Sequence, residues 1–195
     1  MTGNTERAVL GYFQDDARLA VSAAWVLLAF VGGVVVASLC RRHFWVDHPH
    51  GPTMLTAASL IAATAICVAL DGWTPEAQIA FLPVLFVTFA IGALNTSFVK
   101  GGEVSIPLSY VTGTLVKMGQ GIERHISGGA ATAWTGYFFL YVSFIVGATI
   151  GGFISLVANG SQMLAVAAIA SSSMATYTYF DPSRRRQIAG PTSDH

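Results

Sequence analysis

The residues best suited to bind a ligand are two Thr-Gly elements and a polar pair at the end of an apolar run. The first element is Thr2-Gly3-Asn4, and the second is Thr112-Gly113-Thr114. Glycine lets the backbone approach a ligand closely, and a threonine hydroxyl both donates and accepts hydrogen bonds. The polar pair, Asn95-Thr96, follows a long apolar run. An amide side chain within a membrane span faces a partner or a water-filled cavity rather than lipid. The predicted substrate-binding residues are therefore Thr2, Gly3, Asn4, Asn95, Thr96, Thr112, Gly113 and Thr114.

These residues also have purely structural interpretations. Thr2 and Thr112 suit the N-cap of a helix, because a threonine oxygen accepts a hydrogen bond from the free amides of the first turn. Asn95 suits an interhelical hydrogen bond near the membrane boundary. The sequence alone leaves both interpretations open.

The remaining polar clusters match no catalytic or metal-binding pattern. The loop from His43 to His50 holds three histidines and Asp47, but their spacing fits no standard zinc site, and we interpret it as a loop at the membrane surface. Ser97 and Lys100 have S-x-x-K spacing without the companion S-D-N and K-T-G elements. The sequence also contains no Walker A, HExxH or GxSxG motif. We predict a protein that is not an enzyme and has no catalytic residue, metal site or cofactor.

The composition indicates that membrane helices position these residues. Hydrophobic residues make up 53% of the chain and charged residues 10%, and the formal net charge is zero. A soluble domain has roughly 25% charged residues, and without a basic surface there is no attraction for nucleic acid. A membrane-spanning helix needs about 20 mostly apolar residues. The predicted spans, all free of Asp, Glu, Lys and Arg, are Ala20–Cys40, Thr53–Leu70, Gln78–Phe98, Ala133–Val157 and Gly160–Phe180.

The distribution of positive charge predicts how the chain is oriented. With five spans, Arg7 and Arg18 fall on one side of the bilayer, and the other Lys and Arg residues, including Arg184 to Arg186, fall on the opposite side. Cytoplasmic loops are enriched in Lys and Arg. We therefore expect a bacterial inner-membrane protein with a cytoplasmic C-terminus, residues 181–195 forming a disordered tail.

An internal repeat underlies the fold prediction. The segment Ala29–Gly33 with Ala37 resembles Ser143–Gly147 with Gly151, at a similar distance after each Thr-Gly element. The second Thr-Gly element also follows a complete span, which the first lacks, so restoring that span gives two units of three helices. An odd number of spans per unit inverts the second copy. The predicted fold is all-α: a polytopic transmembrane bundle, residues 1–180, with an inverted-topology repeat of three helices, the first of them missing. Residues 1–70 form the first repeat and 78–180 the second, and Met1 is interpreted as an internal methionine.

The same elements carry a resemblance to a known family. The "MTGN" opening, the "GALN" span end and "YVTGTLVKMGQGIE" resemble the YoaK-type family of uncharacterised bacterial inner-membrane proteins. The resemblance extends from Met1 to about Phe180. It implies a membrane fold and no particular reaction.

Two functions are compatible with these features. The first is a transporter of an uncharged or weakly charged small molecule, because inverted repeats recur in secondary transporters. The second is a non-transporting scaffold or assembly factor that binds a partner through its small-residue faces. In either case the lipid bilayer is the main partner, and a homo-oligomer is a further expectation.

Overall fold

The computed structural model describes residues 2–13, 16–45, 50–71, 80–97, 99–100, 103–104 and 111–180. Within these residues the chain is helical apart from turns and one hairpin of two short strands. In this hairpin β1 (Val99–Lys100) pairs antiparallel with β2 (Glu103–Val104). The helices are α1 (Thr2–Phe13), α2 (Ala17–His43), α3 (Gly51–Asp71), α4 (Phe81–Leu94), α5 (Val111–Ile126), α6 (Thr132–Ser155) and α7 (Gly160–Phe180). The predicted all-α transmembrane class is confirmed.

Helices occupy all the predicted spans. Helices α2, α3, α6 and α7 are long and apolar enough to cross a membrane, and α7 has the predicted bounds. Helix α4 is a shorter apolar helix of 14 residues, or about 21 Å at 1.5 Å per residue, against a hydrocarbon thickness of about 30 Å. Its predicted ends, Gln78 and Phe98, lie outside the described residues.

The chain divides into two compact units. The first comprises Met1–Ile106 and Asn159–His195, and the second Pro107–Ala158. Helices α1 to α4, the hairpin and α7 therefore belong to the first unit, and α5 and α6 form the second.

In the first unit, α2 and α4 cross with their backbones in contact. A Cβ atom on Gly33 would overlap the carbonyl oxygen of Phe89, and a Cβ atom on Gly92 would overlap that of Phe30. One turn after Gly33, the side chain of Ala37 is fully buried. Helices in lipid associate through such close packing, because the hydrophobic effect does not favour protein over lipid contacts. The paired glycines thus allow this crossing.

Helix α3 lies between α4 and α7 and is the most buried of the long spans. Leu60 of α3 forms the core cluster with Ala90 of α4 and Ala168 of α7. The Thr56 Oγ1 lies 3.2 Å from the carbonyl oxygen of Ala90, and its hydroxyl donates to the Pro52 carbonyl oxygen of its own helix at 2.8 Å. The centre of the first unit is therefore a line of three helices joined by small and hydroxyl side chains.

Helices α3 and α7 have the same length, 21 residues, and run antiparallel. The hydroxyl oxygens of Thr53 and Thr178 lie 3.2 Å apart near one end of the pair. Near the other end, the Cys67 Sγ lies 3.4 Å from the Ser161 Oγ. Polar contacts therefore hold both ends of an otherwise apolar interface.

The start of α7 is fixed by its own side chains. The Gln162 amide donates to the Asn159 Oδ1 at 2.9 Å, and the Asn159 amide donates to the Gln162 Oε1 at 3.1 Å. This reciprocal pair is a capping box, which satisfies amides that have no partner within the helix.

Candidate functional site

The second unit contains a small cavity at the second Thr-Gly element. Its volume is about 220 Å³. Helix α5 contributes Val111 and the buried Thr114, and α6 contributes the rest of the wall. The lining residues from α6 are Leu140, Tyr141, Ser143 and Phe144.

The sequence of α5 explains how this wall forms. The helix is amphipathic, and its buried residues Thr114 and Gly121 lie two turns apart on one face. That face packs on α6. The Lys117 Nζ lies 5.6 Å from the centre of the Tyr137 ring, within the range of a cation–π contact. Helix α5 is therefore oriented on α6 by both apolar and cationic contacts.

The cavity offers hydroxyl groups and no charge. Its polar side chains are Thr114, Tyr141 and Ser143, of which the Ser143 hydroxyl donates to the Phe139 carbonyl oxygen at 2.8 Å. Ligand pockets typically combine an apolar wall with a few polar groups that fix orientation. A site of this size and polarity suits a small uncharged molecule with hydrogen-bonding groups.

A second polar group lies in the first unit, where α4 ends. Asn95 and Thr96 are buried, but both are bonded to their own helix. The Asn95 Nδ2 donates to the Ile91 carbonyl oxygen, and the Thr96 hydroxyl donates to that of Ala93, each at 2.8 Å. These bonds match the capping of a helix end more closely than an open binding site.

Arg41 completes this group from α2. Its Nη2 donates to the carbonyl oxygen of Thr96. A cation is stabilised at a helix C-terminus, because the last carbonyl groups carry partial negative charge and lack partners within the helix. Next to this bond, the Ser97 Oγ is buried without a hydrogen-bond partner among the described residues.

The predicted site residues belong to different units of the chain. Asn95 and Thr96 lie together beside Arg41 in the first unit, whereas Thr114 lines the cavity of the second. Thr112 is exposed, and Gly113 is half-buried. A single site formed by Asn95 and the second Thr-Gly element stays a prediction.

The first Thr-Gly element lies in the first turn of α1, which begins at Thr2. Gly3 is exposed with open space around its Cβ position, and Asn4 is half-buried. Thr112 likewise lies inside α5, one residue after its start at Val111. Thr112 therefore lies within α5 rather than at its N-cap.

Sequence reasoning missed three residues of these two groups. Tyr141 and Ser143 lie within an apolar run, where a hydroxyl gives no periodic signal. Arg41 was assigned only to the positive charge at the membrane boundary, together with its neighbour Arg42. The exposed Arg42 shows that the two arginines differ in role, but adjacent residues of the same type cannot be distinguished without knowing the helix rotation.

The histidine loop is described only in part, because Asp47 and His48 lie outside the described residues. His50 is buried, and its ring meets that of Tyr179 edge to face, with centroids 4.9 Å apart. Among the residues that the structure describes, no group of three or more His, Cys, Asp or Glu side chains could hold a metal ion.

Comparison with known proteins places the chain among uncharacterised membrane proteins. A family model described as "Protein of unknown function (DUF1275)" matches residues 1–177. The UPF0700 transmembrane protein RA0705 of Rhizobium meliloti (strain 1021) is 28% identical over 155 residues, which cover 77% of this chain and 61% of the relative. The chain therefore spans about three-fifths of the length of this curated relative. No solved structure matches.

These matches and the apolar helices agree on a multi-pass membrane protein of an uncharacterised family. The predicted resemblance to such a family is confirmed to that extent. The YoaK-type label stays a resemblance.

Proposed function

We propose that this chain, which belongs to the DUF1275 family of proteins of unknown function, is the membrane-embedded part of a small-molecule transporter. The observation that carries the proposal is the hydroxyl-lined cavity beside Thr114. It combines a concave apolar wall with Thr114, Tyr141 and Ser143 at one of the two elements predicted to bind substrate. An uncharged molecule would bind there without leaving a buried charge unpaired. The proposed role is binding and transport, without catalysis.

The arrangement of helices supports an inverted repeat with three membrane spans in each copy. A short helix, a long apolar helix and a 21-residue helix follow one another twice, as α1, α2, α3 and as α5, α6, α7. Equivalent helices of inverted copies run antiparallel, because a pseudo-two-fold axis in the membrane plane relates them. The antiparallel contact of α3 and α7 through Leu60 and Ala168, near the middle of both, has this geometry. In this proposal α4 begins the second copy, and an equivalent helix precedes α1 in longer forms of the protein.

The proposed location is the bacterial inner membrane with the C-terminus in the cytoplasm. Arg41 and Arg42 close α2 on the side where most positive charge gathers. The positive-inside rule assigns that side to the cytoplasm.

The test is a thermal-stability screen of the purified protein against uncharged polyols, monosaccharides and nucleosides. A ligand that binds only the folded state stabilises it by about 2.7 kcal/mol at 100 times its Kd. At least one compound should raise the midpoint of unfolding by several degrees and should be taken up by proteoliposomes containing the protein. Thr114→Leu should fill the cavity and abolish the shift, while Thr112→Val, at an exposed position on the same helix, should retain it.

Equal shifts in Thr114→Leu and Thr112→Val would place binding elsewhere. If no compound stabilises the wild-type protein, the transporter proposal loses its support.

A scaffold is the second candidate, favoured by the exposure of α6. None of its membrane-spanning stretch is buried. A scaffold should co-purify with a stoichiometric partner protein and show no stabilisation by small molecules. A pull-down for a partner protein and a thermal screen with small molecules therefore distinguish the two candidates.

A further inference from the structure

The side of α2 that packs on α4 ends in a charged residue. Gly33, Ala37 and Arg41 are four residues apart, so they follow one another along the same side of the helix. Gly33 rests on the α4 backbone, and Ala37 is fully buried. This spacing places the guanidinium of Arg41 at the C-terminal end of α4. Arg42 lies about 100° further around the helix and is exposed.

Arg41 is only partly paired. One of the five guanidinium N–H groups donates to the carbonyl oxygen of Thr96. The other donors have no partner among the residues that the structure describes, although the side chain is half-buried. A guanidinium stays charged, and its removal from water is unfavourable unless an opposite charge is nearby. The Thr96 carbonyl group carries only a partial negative charge, so a full counter-charge is missing.

The described carboxylates of the first unit do not supply this counter-charge. Of the acidic residues in this unit, the structure describes the side chains of Glu6 and Asp16. Asp16 is the N-cap of α2. Glu6 belongs to α1, whose Gly11 packs against the backbone of Ala20 at that same end of α2. Arg41 lies near the other end, about 38 Å along the helix from Asp16 at 1.5 Å per residue.

A second polar group at the end of α4 also lacks a partner. Ser97 directly follows Thr96, and its amide donates to the Leu94 carbonyl oxygen at 3.0 Å. The Ser97 Oγ is buried and has no hydrogen-bond partner within the described part of the chain. An unpaired buried hydroxyl is unfavourable, and native structures contain few of them. The guanidinium of Arg41 and this hydroxyl are thus brought together at a single peptide group, the one between Thr96 and Ser97.

These two groups suit a ligand that carries several anionic oxygens. A guanidinium binds phosphate through two parallel N–H···O bonds, and basic pockets between membrane helices bind lipid headgroups. Arg41 is the third residue from the end of α2, which places it at the membrane boundary, where lipid phosphates lie. The apolar side chains of Leu39 and Ile91, on the membrane side of this group, are exposed. The position therefore favours a lipid phosphate over a soluble anion.

We propose that Arg41 and Ser97 form a binding site for the phosphate group of an anionic phospholipid at the junction of α2 and α4. Arg41 keeps its bond to the Thr96 carbonyl oxygen and presents its remaining N–H groups to the phosphate. The Ser97 hydroxyl rotates about its Cα–Cβ bond and donates to the same phosphate. The lipid supplies the missing counter-charge and holds the ends of the two helices together.

The test is native mass spectrometry of the delipidated chain, titrated with phosphatidylglycerol or with phosphatidylcholine of the same acyl chains. The wild-type protein should bind one phosphatidylglycerol about tenfold more tightly than phosphatidylcholine. Arg41→Gln should weaken phosphatidylglycerol binding by about 30-fold, because it removes a charged donor to the phosphate. Arg42→Gln is the matched control, and it should weaken binding by less than about fivefold through general electrostatic attraction.

Ser97→Ala distinguishes a binding role from a structural one. Without lipid it should leave the free energy of unfolding unchanged or raise it, because no hydrogen bond of the described residues is lost. Its affinity for phosphatidylglycerol should fall by about fivefold, because one donor to the phosphate is removed. This variant retains Arg41, so it tests the site even if Arg41→Gln does not fold.

Equal losses of affinity in Arg41→Gln and Arg42→Gln would overturn the proposal, since attraction would then depend on charge alone. Equal affinities for the two lipids, or wild-type affinity in Ser97→Ala, would also overturn it. Inorganic phosphate that displaces phosphatidylglycerol at equal concentration would show that the ligand is a soluble anion rather than a lipid. The site consists of residues of the first unit, so none of these results depends on transport through the Thr114 cavity.

Discussion

Gly33 of α2 rests directly on the carbonyl oxygen of Phe89 in α4. The reverse contact, Gly92 on the carbonyl oxygen of Phe30, lies on the other side of the same crossing. Each helix thus supplies a glycine for the backbone of the other. A side chain at either position would have to separate the two helices.

Gly33→Ala should destabilise the protein by about 1–3 kcal/mol, the usual cost of overpacking a rigid contact. The atoms nearest to the new methyl group belong to the backbone of α4, which cannot rotate away as a side chain can. Gly32→Ala is the matched control, because the nearest atom to its Cβ position is a ring carbon of Phe89 at 4.0 Å. It should be neutral, or stabilising by up to about 1 kcal/mol through helix propensity. The measurement is unfolding by titration with SDS; equal effects of the two variants would contradict the crossing.

Arg41→Ala should destabilise the protein by about 1 kcal/mol, because it leaves the C-terminal carbonyl of Thr96 without its cationic donor. Arg42→Ala removes the same charge from the exposed neighbouring position. Comparing the two variants by SDS unfolding therefore isolates the hydrogen bond from the general effect of charge. An Arg42→Ala variant as unstable as Arg41→Ala would show that the bond to Thr96 contributes nothing.

Thr53 and Thr178 should be coupled energetically. Their hydroxyl oxygens lie 3.2 Å apart across the α3–α7 interface. Interhelical hydrogen bonds in membranes average about 0.6 kcal/mol in double-mutant cycles, so Thr53→Val and Thr178→Val should be less than additive by that amount. Thr64→Val is the control, since its hydroxyl donates to Leu60 of its own helix and should add fully to either variant. Full additivity of the first pair would place the two hydroxyls out of contact.

The two free cysteines should differ in accessibility. Cys67 is fully buried beside Ser161, whereas Cys40 is half-buried near the end of α2. Treatment with N-ethylmaleimide in mild detergent should modify Cys40 and spare Cys67 until SDS is added, because alkylation needs access of reagent and water to the thiol. Intact mass spectrometry counts the additions, and Cys67→Ser should give the same mass under both conditions. A second addition to the native protein would contradict the packing of α3 on α7.

The spans were predictable because each is a long uncharged run, and lipid imposes that requirement on the whole helix. Their packing partners were not predictable. Leu60 is 8% exposed and Phe153 is 68% exposed, yet both are large apolar residues in a membrane helix. Because lipid and protein interiors are equally apolar, burial leaves little trace in the residue type.

The candidate site was predictable to a similar degree. Thr114 was selected from its Thr-Gly element and lines the cavity. Tyr141 and Ser143, its neighbours in the cavity wall, depend on the rotation of α6 against α5, which no pattern in an apolar run reports. The role of Arg41 rather than Arg42 depends in the same way on the rotation of α2.

The hydroxyl groups of α3 also bear on how the protein is made. Thr53, Thr56 and Ser59 each donate to a carbonyl oxygen of their own chain three or four residues earlier. Ribosomes add about 5–20 residues per second, so the roughly 90 residues between α3 and α7 delay the arrival of α7 by about 5–20 s. During that interval α3 can leave the insertion machinery as a single helix, because its hydroxyls are already satisfied within the bilayer. The order in which these helices are synthesised therefore need not follow the order in which they pack.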